Sequence, residues 1–291
     1  MEQQVSVHPV PAESRVKIGE LDMNYLDWGG EGTPVLALHG AASSSHWYDL
    51  VIPHLRGRCR FIAPDQRAHG KSGQPATGYD WATLAADAIG LLDRLDIQRA
   101  AVIGHSWGGG VALSLALLHP DRVTALALVE GGFSSGPRSQ NMTWDDFKQR
   151  AAQRDIYGPK ERYLGALRRH LEECWSDQLE AMLLTMVRHD PDGTVWETLT
   201  PQTHEQMLHA MWSDPPARNL AQVRCPTLFV AADRNRPGDS EWQRSRRERV
   251  AAAQATLPSA QVAWIPDTGH DIGFEKPREL ADALGGFLSS I

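Results

Sequence analysis

The residues with the clearest chemical potential lie in the segment G-H-S-W-G at 104–108, where Ser106 stands between two glycines. The segment follows an apolar run at 100–104 and opens a helix-like run at 107–118. A tight turn from a strand into a helix leaves little room for side chains, which favours glycine on both sides of the serine. The turn lifts the hydroxyl clear of the sheet, and the helix N-terminus offers N–H groups to a developing negative charge. The sequence therefore predicts Ser106 as a nucleophile.

A serine nucleophile needs a base that accepts its proton, and His270 is the best-placed candidate among the 12 histidines. It lies in the segment D-T-G-H-D at 267–271, between a predicted strand at 261–265 and a predicted helix at 276–290. In a parallel sheet this loop would lie at the same carboxyl edge as the turn of Ser106. The position of the histidine after the serine also fits the chain order nucleophile, acid, base.

Short apolar runs alternate with helix-length amphipathic runs, which predicts a mostly parallel sheet with helices on its faces. Alternating residues at 15–19 and 21–28 predict an opening antiparallel hairpin. Further strands are predicted at 34–38, 60–63, 100–104, 123–129, 226–232 and 261–265, and helices at 81–95, 107–118, 240–256 and 276–290. From about Ser134 to Gln222 no run resembles a strand, so this segment is predicted to be a helical insertion.

Composition and charge narrow the function classes. The 291 residues are 42% hydrophobic and 22% charged, which is typical of a folded globular protein. Lys plus Arg is 29 and Asp plus Glu is 36, and the net charge of −7 disfavours binding to nucleic acid. No apolar run approaches the length of a membrane span, and the N-terminus lacks the features of a signal peptide. The three widely spaced cysteines fit neither a metal site nor a disulfide framework, so we expect a cytoplasmic protein that does not bind membranes.

Four stretches together resemble the α/β-hydrolase fold superfamily, and within it the serine esterases: HGAASSSHW at 39–47, DQRAHGKS at 65–72, GHSWGG at 104–109 and DTGHD at 267–271. The resemblance covers nearly the whole chain. It implies an α/β fold with a mostly parallel, eight-stranded sheet flanked by helices. The core of this fold would comprise residues 1–133 and 223–291, with a helical cap at 134–222.

The resemblance also implies roles for groups around Ser106. The family's oxyanion hole consists of main-chain N–H groups, which in this chain would be those of Ala41 and Trp107. His39 would brace the loop that carries Ala41. The turn at 65–70 would form a structural hydrogen-bond network around Asp65 rather than take part in chemistry.

The acid that would orient the histidine is the point at which the chain departs from the family pattern. The family places an Asp in a segment of the form P-T-L-x-x-x-G-x-x-D, and here residues 226–235 read P-T-L-F-V-A-A-D-R-N. Asn235 stands at the position of the acid, and a neutral amide cannot stabilise a charged imidazole. Two carboxylates remain as candidates, Glu130 and Asp233. Glu130 is preferred because it ends the strand at 123–129, as the acid does in some haloalkane dehalogenases, and its alternative role is to anchor the cap.

These residues predict a serine hydrolase that cleaves a carboxylic ester or a similar acyl bond. Ser106 would attack the carbonyl, His270 would carry the proton, and Glu130 would stabilise the charged imidazole, with no metal or organic cofactor. The expected partner is a small-molecule ester or lactone, and the oligomeric state stays open. By the same resemblance, dehalogenases and epoxide hydrolases carry Asp in place of Ser106, which disfavours both of these chemistries.

Three alternative functions stay open at this point. A carbon–carbon bond hydrolase and a cofactor-free perhydrolase share the fold, and the amide at Asn235 encourages a non-catalytic ligand-binding protein on the same scaffold. The cap is rich in Trp, Met and Leu and includes Met182, Met207 and Met211. Such a composition predicts either an apolar substrate pocket or simple packing between the helices of the cap.

Overall fold

The computed structural model of the chain describes residues 10–55, 59–134, 142–151, 156–234 and 240–291, apart from the side chains of residues 240 and 242. The strands in these residues are β1 (Ala12–Ile18), β2 (Leu21–Asp27), β3 (Thr33–Leu38), β4 (Cys59–Pro64), β5 (Ala100–His105), β6 (Val123–Val129), β7 (Gly158–Pro159), β8 (Val187–His189), β9 (Thr194–Glu197), β10 (Thr227–Asp233) and β11 (Gln261–Pro266). Eight of them form the main sheet, in the order β1-β2-β4-β3-β5-β6-β10-β11.

The directions of the strands agree with the pattern in the sequence. β1 and β2 form an antiparallel hairpin, and β2 also pairs antiparallel with β4. All the other neighbouring pairs in the main sheet are parallel. The prediction of an α/β fold with a mostly parallel eight-stranded sheet is therefore confirmed.

Helices pack on both faces of this sheet and also occupy the segment between β6 and β10. They are α1 (Trp81–Arg94), α2 (Trp107–Leu118), α3 (Trp144–Arg150), α4 (Lys160–His170), α5 (Asp177–Leu184), α6 (Pro201–Ser213), α7 (Ser240–Thr256), α8 (Ile272–Glu275) and α9 (Pro277–Leu288). Successive strand residues point to opposite faces, so Leu36 and Val102 pack with α1, α2 and α7, whereas Val35 and Ile103 pack with α9. In the described ranges no helix combines the length and the apolar character needed to cross a bilayer.

The segment between β6 and β10 holds helices α3 to α6 and a small antiparallel sheet in the order β7-β9-β8. The prediction that 134–222 contains no strand is therefore wrong. β7, β8 and β9 have two, three and four residues, too few for an alternating pattern to be recognised. A turn signal was nevertheless present, because Asp190-Pro191-Asp192-Gly193 joins β8 to β9, with a φ of +86° at Gly193. The boundaries of the cap stay a prediction.

The order of the strands brings three loops to one edge of the sheet. Ser106 follows β5, Glu130 follows β6, and His270 lies in the loop after β11. Two backbone hydrogen bonds continue the pattern of the sheet beyond the strands. The N–H of Ser106 donates to the carbonyl of Val129 at 2.8 Å, and that of Glu130 donates to the carbonyl of Val230 at 2.9 Å. The loops are therefore held in register at the carboxyl edge.

Candidate active site

Ser106 lies on a strained turn between β5 and α2. Its φ of +52° and ψ of −118° form a conformation that residues other than glycine rarely adopt. The turn is also closely packed. A Cβ at Gly104 would lie 2.3 Å from the carbonyl oxygen of Gly108, and one at Gly108 would lie 2.3 Å from the carbonyl oxygen of His39. Strain and close packing together fix the position of the serine hydroxyl.

The imidazole of His270 lies next to this hydroxyl. Its Nε2 atom is 2.9 Å from Oγ of Ser106. The side chain of His270 is 47% exposed, so a ligand in solution can reach the pair. A hydrogen bond to its backbone holds the loop that carries His270: the N–H of Gly269 donates to Oε2 of Glu275 at 3.1 Å. The structure thus brings the predicted nucleophile and the predicted base together.

Glu130 provides a third polar group at the same edge. Its Oε2 atom lies 3.3 Å from Nδ1 of His270, and its Oε1 atom accepts a hydrogen bond from the N–H of Ala232 at 2.7 Å. The side chain is 1% exposed, and the backbone has a φ of +54°. Two strained residues other than glycine, Ser106 and Glu130, therefore flank the histidine. Ser106, His270 and Glu130 are termed the triad.

The two other candidates for the acid belong to the end of β10. The carboxylate of Asp233 lies 3.0 Å from Arg247 and also contacts Gln243, both on α7. Asn235 lies outside the described residues. Within those residues, the carboxylate hydrogen-bonded to the ring of His270 is that of Glu130. The structure therefore places Glu130 next to the histidine and directs Asp233 to α7.

The contacts of the triad fix the tautomer of its histidine. An ionised carboxylate only accepts hydrogen bonds, so Nδ1 of His270 carries the proton that faces Glu130. Nε2 is then free to accept the hydroxyl proton of Ser106. This arrangement can move a proton from Ser106 to His270 while Glu130 stabilises the resulting positive charge.

The surroundings of His270 act on its pKa in opposite directions. Desolvation of the ring lowers the pKa, whereas the hydrogen bond to Glu130 raises it. The negative charges of Asp271 and Glu130 raise it further, and the positive charge of Arg246 lowers it. The raising effects prevail, so the pKa of His270 lies above the ordinary value for histidine.

Arg246 on α7 is a further candidate for a functional residue, and its sequence context does not single it out. Its Nη2 atom lies 2.5 Å from Oε2 of Glu130, and its side chain is 7% exposed. Burial lowers the pKa of Arg246 to about 10, against the opposing effect of the charge on Glu130. The guanidinium therefore stays charged at neutral pH. Because α7 also carries Arg244, Arg247 and Arg249, the sequence alone gives no reason to choose the arginine that faces the acid.

His105 makes a second contact that the sequence does not predict. Its ring is 3% exposed and stacks on Trp47 with 4.1 Å between the ring centroids. Burial holds the pKa of His105 well below the ordinary value, so the ring is neutral. Its Nε2 atom donates to the backbone carbonyl of His270 at 3.1 Å, since a carbonyl can only accept. His105 thus links the serine turn to the loop of the base.

The loop after β3 packs against the serine turn. A Cβ at Gly40 would lie 3.2 Å from Cβ of Ser106. His39 braces this loop, because its Nε2 atom accepts from the N–H of Gln66 at 3.0 Å and its Nδ1 atom donates to the carbonyl of Gly40 at 2.7 Å. Burial lowers the pKa of His39 to about 4, so the neutral ring that these contacts require persists at neutral pH.

The two residues predicted to supply oxyanion N–H groups belong to two segments that meet at the serine turn. Ala41 belongs to the loop after β3, and Trp107 is the first residue of α2. The first N–H groups of a helix have no acceptor within that helix, and the helix dipole places partial positive charge there. The position of Trp107 therefore suits main-chain donation to an anion beside Ser106, and the donor role of Ala41 stays a prediction.

The turn at 65–70 is a buried hydrogen-bond network. Oδ1 of Asp65 accepts from the N–H of Ser45 at 2.7 Å. Its Oδ2 atom accepts from the N–H of Lys71 at 2.9 Å and from the side chain of Asn24 at 2.9 Å. These contacts tie β2, the loop after β3 and the turn after β4 together behind the site.

An apolar cavity of about 280 Å³ opens beside Ser106. Its larger lining side chains are Trp81, Trp107, Met142, Phe147 and Met211. Among the methionines between β6 and β10, Met182 and Met207 are instead buried in the apolar cores. No cluster of three or more His, Cys, Asp or Glu side chains that could hold a metal ion is found in the part of the chain that the structure describes.

Comparisons with known proteins agree with this architecture. A family model described as the alpha/beta hydrolase fold matches residues 33–277. Epoxide hydrolase A of Mycobacterium tuberculosis is 34% identical over an alignment of 331 positions, gaps included, which covers 97% of this chain and 98% of the relative. A haloalkane dehalogenase of Mesorhizobium japonicum is 34% identical over 151 residues, 52% of this chain and 47% of the relative, so the chain matches about half the length of that enzyme. The solved structure of E-2-(acetamidomethylene)succinate hydrolase superimposes with a TM-score of 0.80 at 22% identity and covers 96% of this chain and 100% of its own.

Proposed function

The chain belongs to the α/β-hydrolase fold family, and we propose that it is a serine hydrolase that cleaves a carboxylic ester or lactone through an acyl-enzyme at Ser106. The observation that carries the proposal is the continuous series of hydrogen bonds from Ser106 through His270 to Glu130. A serine hydroxyl is a weak nucleophile unless a base takes its proton, and the base needs a third group to orient it. The triad supplies both.

In the first half of the reaction, Oγ of Ser106 forms a bond to the carbonyl carbon of the substrate as its proton moves to Nε2 of His270. The π electrons of the carbonyl move to its oxygen, and the N–H groups of Ala41 and Trp107 donate to this oxyanion. The carbonyl then forms again and the bond to the leaving oxygen breaks. Nε2 gives its proton to that oxygen, and an acyl group stays on Ser106. The alcohol of a linear ester departs, whereas the hydroxyl of an opened lactone stays attached to the acyl group.

Water completes the reaction through the same groups. It gives a proton to Nε2 of His270 and attacks the acyl carbon. The bond to Oγ of Ser106 then breaks, and Nε2 returns the proton to that oxygen as the carboxylic acid leaves. The proton on Nδ1 stays with the histidine throughout, while Glu130 stabilises the positive charge on the ring.

The chemistry of a serine nucleophile favours acyl substrates over those named in two relatives, an epoxide hydrolase and a haloalkane dehalogenase. If Oγ of Ser106 opened an epoxide or displaced a halide, it would form an ether, and an ether has no carbonyl carbon for water to attack. A carboxylate nucleophile would instead form an ester. Acyl transfer to Ser106 also forms an ester, which the triad can hydrolyse in the second half-reaction.

The cavity beside Ser106 supports a substrate with a small apolar group. Its volume of about 280 Å³ lies just below the usual range for ligand pockets, about 300–1,000 Å³. Aromatic and methionine side chains dominate the lining, including Trp81, Phe147 and Met211. We therefore expect short-chain esters or small lactones to be cleaved better than long-chain esters.

Met211→Ala is expected to shift the preference toward longer esters, because it enlarges the cavity beside Ser106. One methylene in an apolar pocket is worth about 10-fold or more in kcat/KM, so the ratio of long to short p-nitrophenyl esters should rise by about 10-fold. Met207→Ala is the matched control, since Met207 lies one turn earlier on α6 but is 1% exposed within the core. The control should lower Tm and leave the order of substrates unchanged. An equal change in the ester preference of both variants would show that the cavity beside Ser106 does not select the substrate.

The value of kcat/KM is expected to increase with pH, with its midpoint above about 6.5, the ordinary pKa of histidine. His270 must be unprotonated to accept the serine proton, and its surroundings raise its pKa. Activity is therefore lost as the pH falls through this raised pKa, and the enzyme is fully active at pH values above it. His270→Gln should remove this dependence together with most of the activity. The same dependence in that variant would mean that another residue is the base.

Labelling with a fluorophosphonate probe, combined with a substrate panel, tests the proposal against its alternatives. The panel contains p-nitrophenyl esters, lactones, an epoxide, a haloalkane, a vinylogous diketone, and peroxide with halide. We expect one label per chain at Ser106 and turnover of esters or lactones. Turnover of the diketone alone would favour a carbon–carbon bond hydrolase, and peroxide-dependent halogenation a perhydrolase. Failure to label would favour a non-catalytic ligand-binding protein.

A further inference from the structure

A buried arginine shares an oxygen of the triad acid with the histidine. Nη2 of Arg246 lies 2.5 Å from Oε2 of Glu130, the same oxygen that faces Nδ1 of His270 at 3.3 Å. The other oxygen of this carboxylate accepts from the N–H of Ala232 at 2.7 Å. The side chains of Glu130 and Arg246 are only 1% and 7% exposed, so water takes little part in these contacts.

A carboxylate buried to this extent needs a permanent counter-ion. Removal of a charge from water is strongly unfavourable unless a partner charge and hydrogen bonds compensate for it. In the tautomer that starts turnover His270 is neutral, and during turnover it becomes charged when it accepts the proton of Ser106. Arg246 keeps its charge throughout, so it can balance Glu130 both before and during turnover.

We propose that Arg246 is a positioning residue of the triad, which balances the charge of Glu130, fixes the orientation of its carboxylate and limits how tightly Glu130 and His270 together hold a proton. Glu130 and His270 are termed the acid–base pair. The proposal rests on the proposed function, because His270 must release a proton to the leaving group and again to Ser106 in each cycle. A carboxylate with no second cation would hold that proton more strongly, since its whole charge would act on the imidazole.

Other charged and titratable groups face the acid–base pair from each neighbouring element. On α7, Arg249 is a second cation that interacts with the acid. Asp271, in the loop after β11, adds negative charge near the base, and Glu275 on α8 is bound to the backbone of the same loop. On β5, the ring of His105 lies 5.0 Å from the base, but burial keeps it neutral. In addition to these groups, Arg246 contacts the shared carboxylate oxygen directly, at 2.5 Å.

Loss of the guanidinium should therefore raise the proton affinity of the acid–base pair. Within the described residues, the hydrogen-bond partners left to the carboxylate would be the N–H of Ala232 and the imidazole, with the charge of Arg249 nearby. The state with a proton on the pair would therefore become more favourable. The pair would then keep its proton to a higher pH. A neighbouring charge shifts such a titration by about 1 pH unit or more, which sets the size of the expected change.

Arg246→Met and the matched control Arg247→Met test this proposal. Both remove one guanidinium from α7, but the side chain of Arg247 is 62% exposed and pairs with Asp233. The readouts are the NMR titration of the His270 ring, assigned with His270→Gln, and the pH midpoint of kcat/KM. Both midpoints should move up by about 1 pH unit in Arg246→Met. In Arg247→Met they should move by less than about 0.3 unit, because water and salt screen an exposed charge.

Arg246→Lys separates the charge from the geometry. A lysine keeps the positive charge but lacks the planar guanidinium that directs N–H groups at the carboxylate. We expect the titration of His270 to stay within about 0.3 unit of the wild type while kcat falls about 10-fold. A shift as large as that of Arg246→Met would contradict the role of the charge.

An unchanged midpoint in Arg246→Met, or an equal shift in Arg247→Met, would overturn the proposal. The NMR titration requires no turnover, so it decides the role of Arg246 even if Ser106 proves not to be the nucleophile. If Arg246→Met does not fold, the comparison moves to Glu130→Gln with and without Arg246→Met, because the double variant buries no unpaired carboxylate. The midpoint of His270 should be higher in the double variant, and equal midpoints would overturn the proposal.

Discussion

Ser106→Ala is expected to abolish ester hydrolysis while the fold is kept. Loss of a serine nucleophile lowers kcat by about 10⁶, and what is left, about 10³–10⁴ over water, comes from the oxyanion hole and binding. The hydroxyl forms a hydrogen bond with His270 at the edge of the sheet and does not contribute to the apolar cores. Tm should therefore change by only a few degrees. Initial rates with p-nitrophenyl esters and a thermal melt check both expectations.

Ser114→Ala is the matched control for this variant. Ser114 lies on the same helix as the serine turn, but it is buried and donates to the carbonyl of Gly110 at 2.9 Å. Its removal should leave kcat within a few-fold of the wild type, because it touches none of the triad. Ser106→Ala with near-normal turnover, or Ser114→Ala with an equal loss of activity, would contradict the role given to Ser106.

Glu130→Gln is expected to lower turnover by up to about 10⁴, the effect of an acid-to-amide change in a serine protease triad. No orientation of the amide satisfies the site. If its oxygen faces the N–H of Ala232, its NH₂ group points at Arg246 and His270, which are both donors. If the amide is reversed, the N–H of Ala232 loses its acceptor. Steady-state kinetics and a thermal melt should therefore show a large loss of kcat and a lower Tm.

Asp233→Asn is the control that distinguishes the two candidate acids. Asp233 is partly exposed, and its carboxylate is directed to Arg247 and Gln243 on α7. We expect its kcat to stay within a few-fold of the wild type. Glu130→Asp, which keeps the charge on a shorter side chain, should keep more activity than Glu130→Gln. The reverse order, in which Asp233→Asn is inactive and Glu130→Gln is active, would make Asp233 the acid.

Features with a local cause were predictable from the sequence. The turn of Ser106 is marked by glycines at 104 and 108 between an apolar run and a helix, and the close approach of Gly104 to Gly108 explains why both are needed. His270 was found because the loop after the last strand must reach the same edge. Glu130 is predictable because Asn235 replaces the usual acid and because some haloalkane dehalogenases place their acid at the end of the same strand. The strand order then puts β6 beside β5.

Features that depend on which faces meet in three dimensions were not predictable. Arg246 is one of several arginines on α7, and only the packing of that helix decides which of them reaches Glu130. The contact between His105 and the carbonyl of His270 joins positions 165 residues apart in the chain. Strands β7 to β9 are too short for a periodic pattern, and only the turn that ends at Gly193 marks them.

Rapid quenching of a reaction with a p-nitrophenyl ester, followed by peptide mass spectrometry, tests the acyl-enzyme most directly. The wild-type protein should release a burst of about one p-nitrophenol per chain before steady turnover, as expected when an acyl-enzyme accumulates. The peptide that contains Ser106 should gain the mass of the acyl group. Ser106→Ala should show neither the burst nor the added mass. Steady turnover by the wild type with the acyl group on another residue, or an undiminished burst from Ser106→Ala, would contradict a covalent mechanism at Ser106.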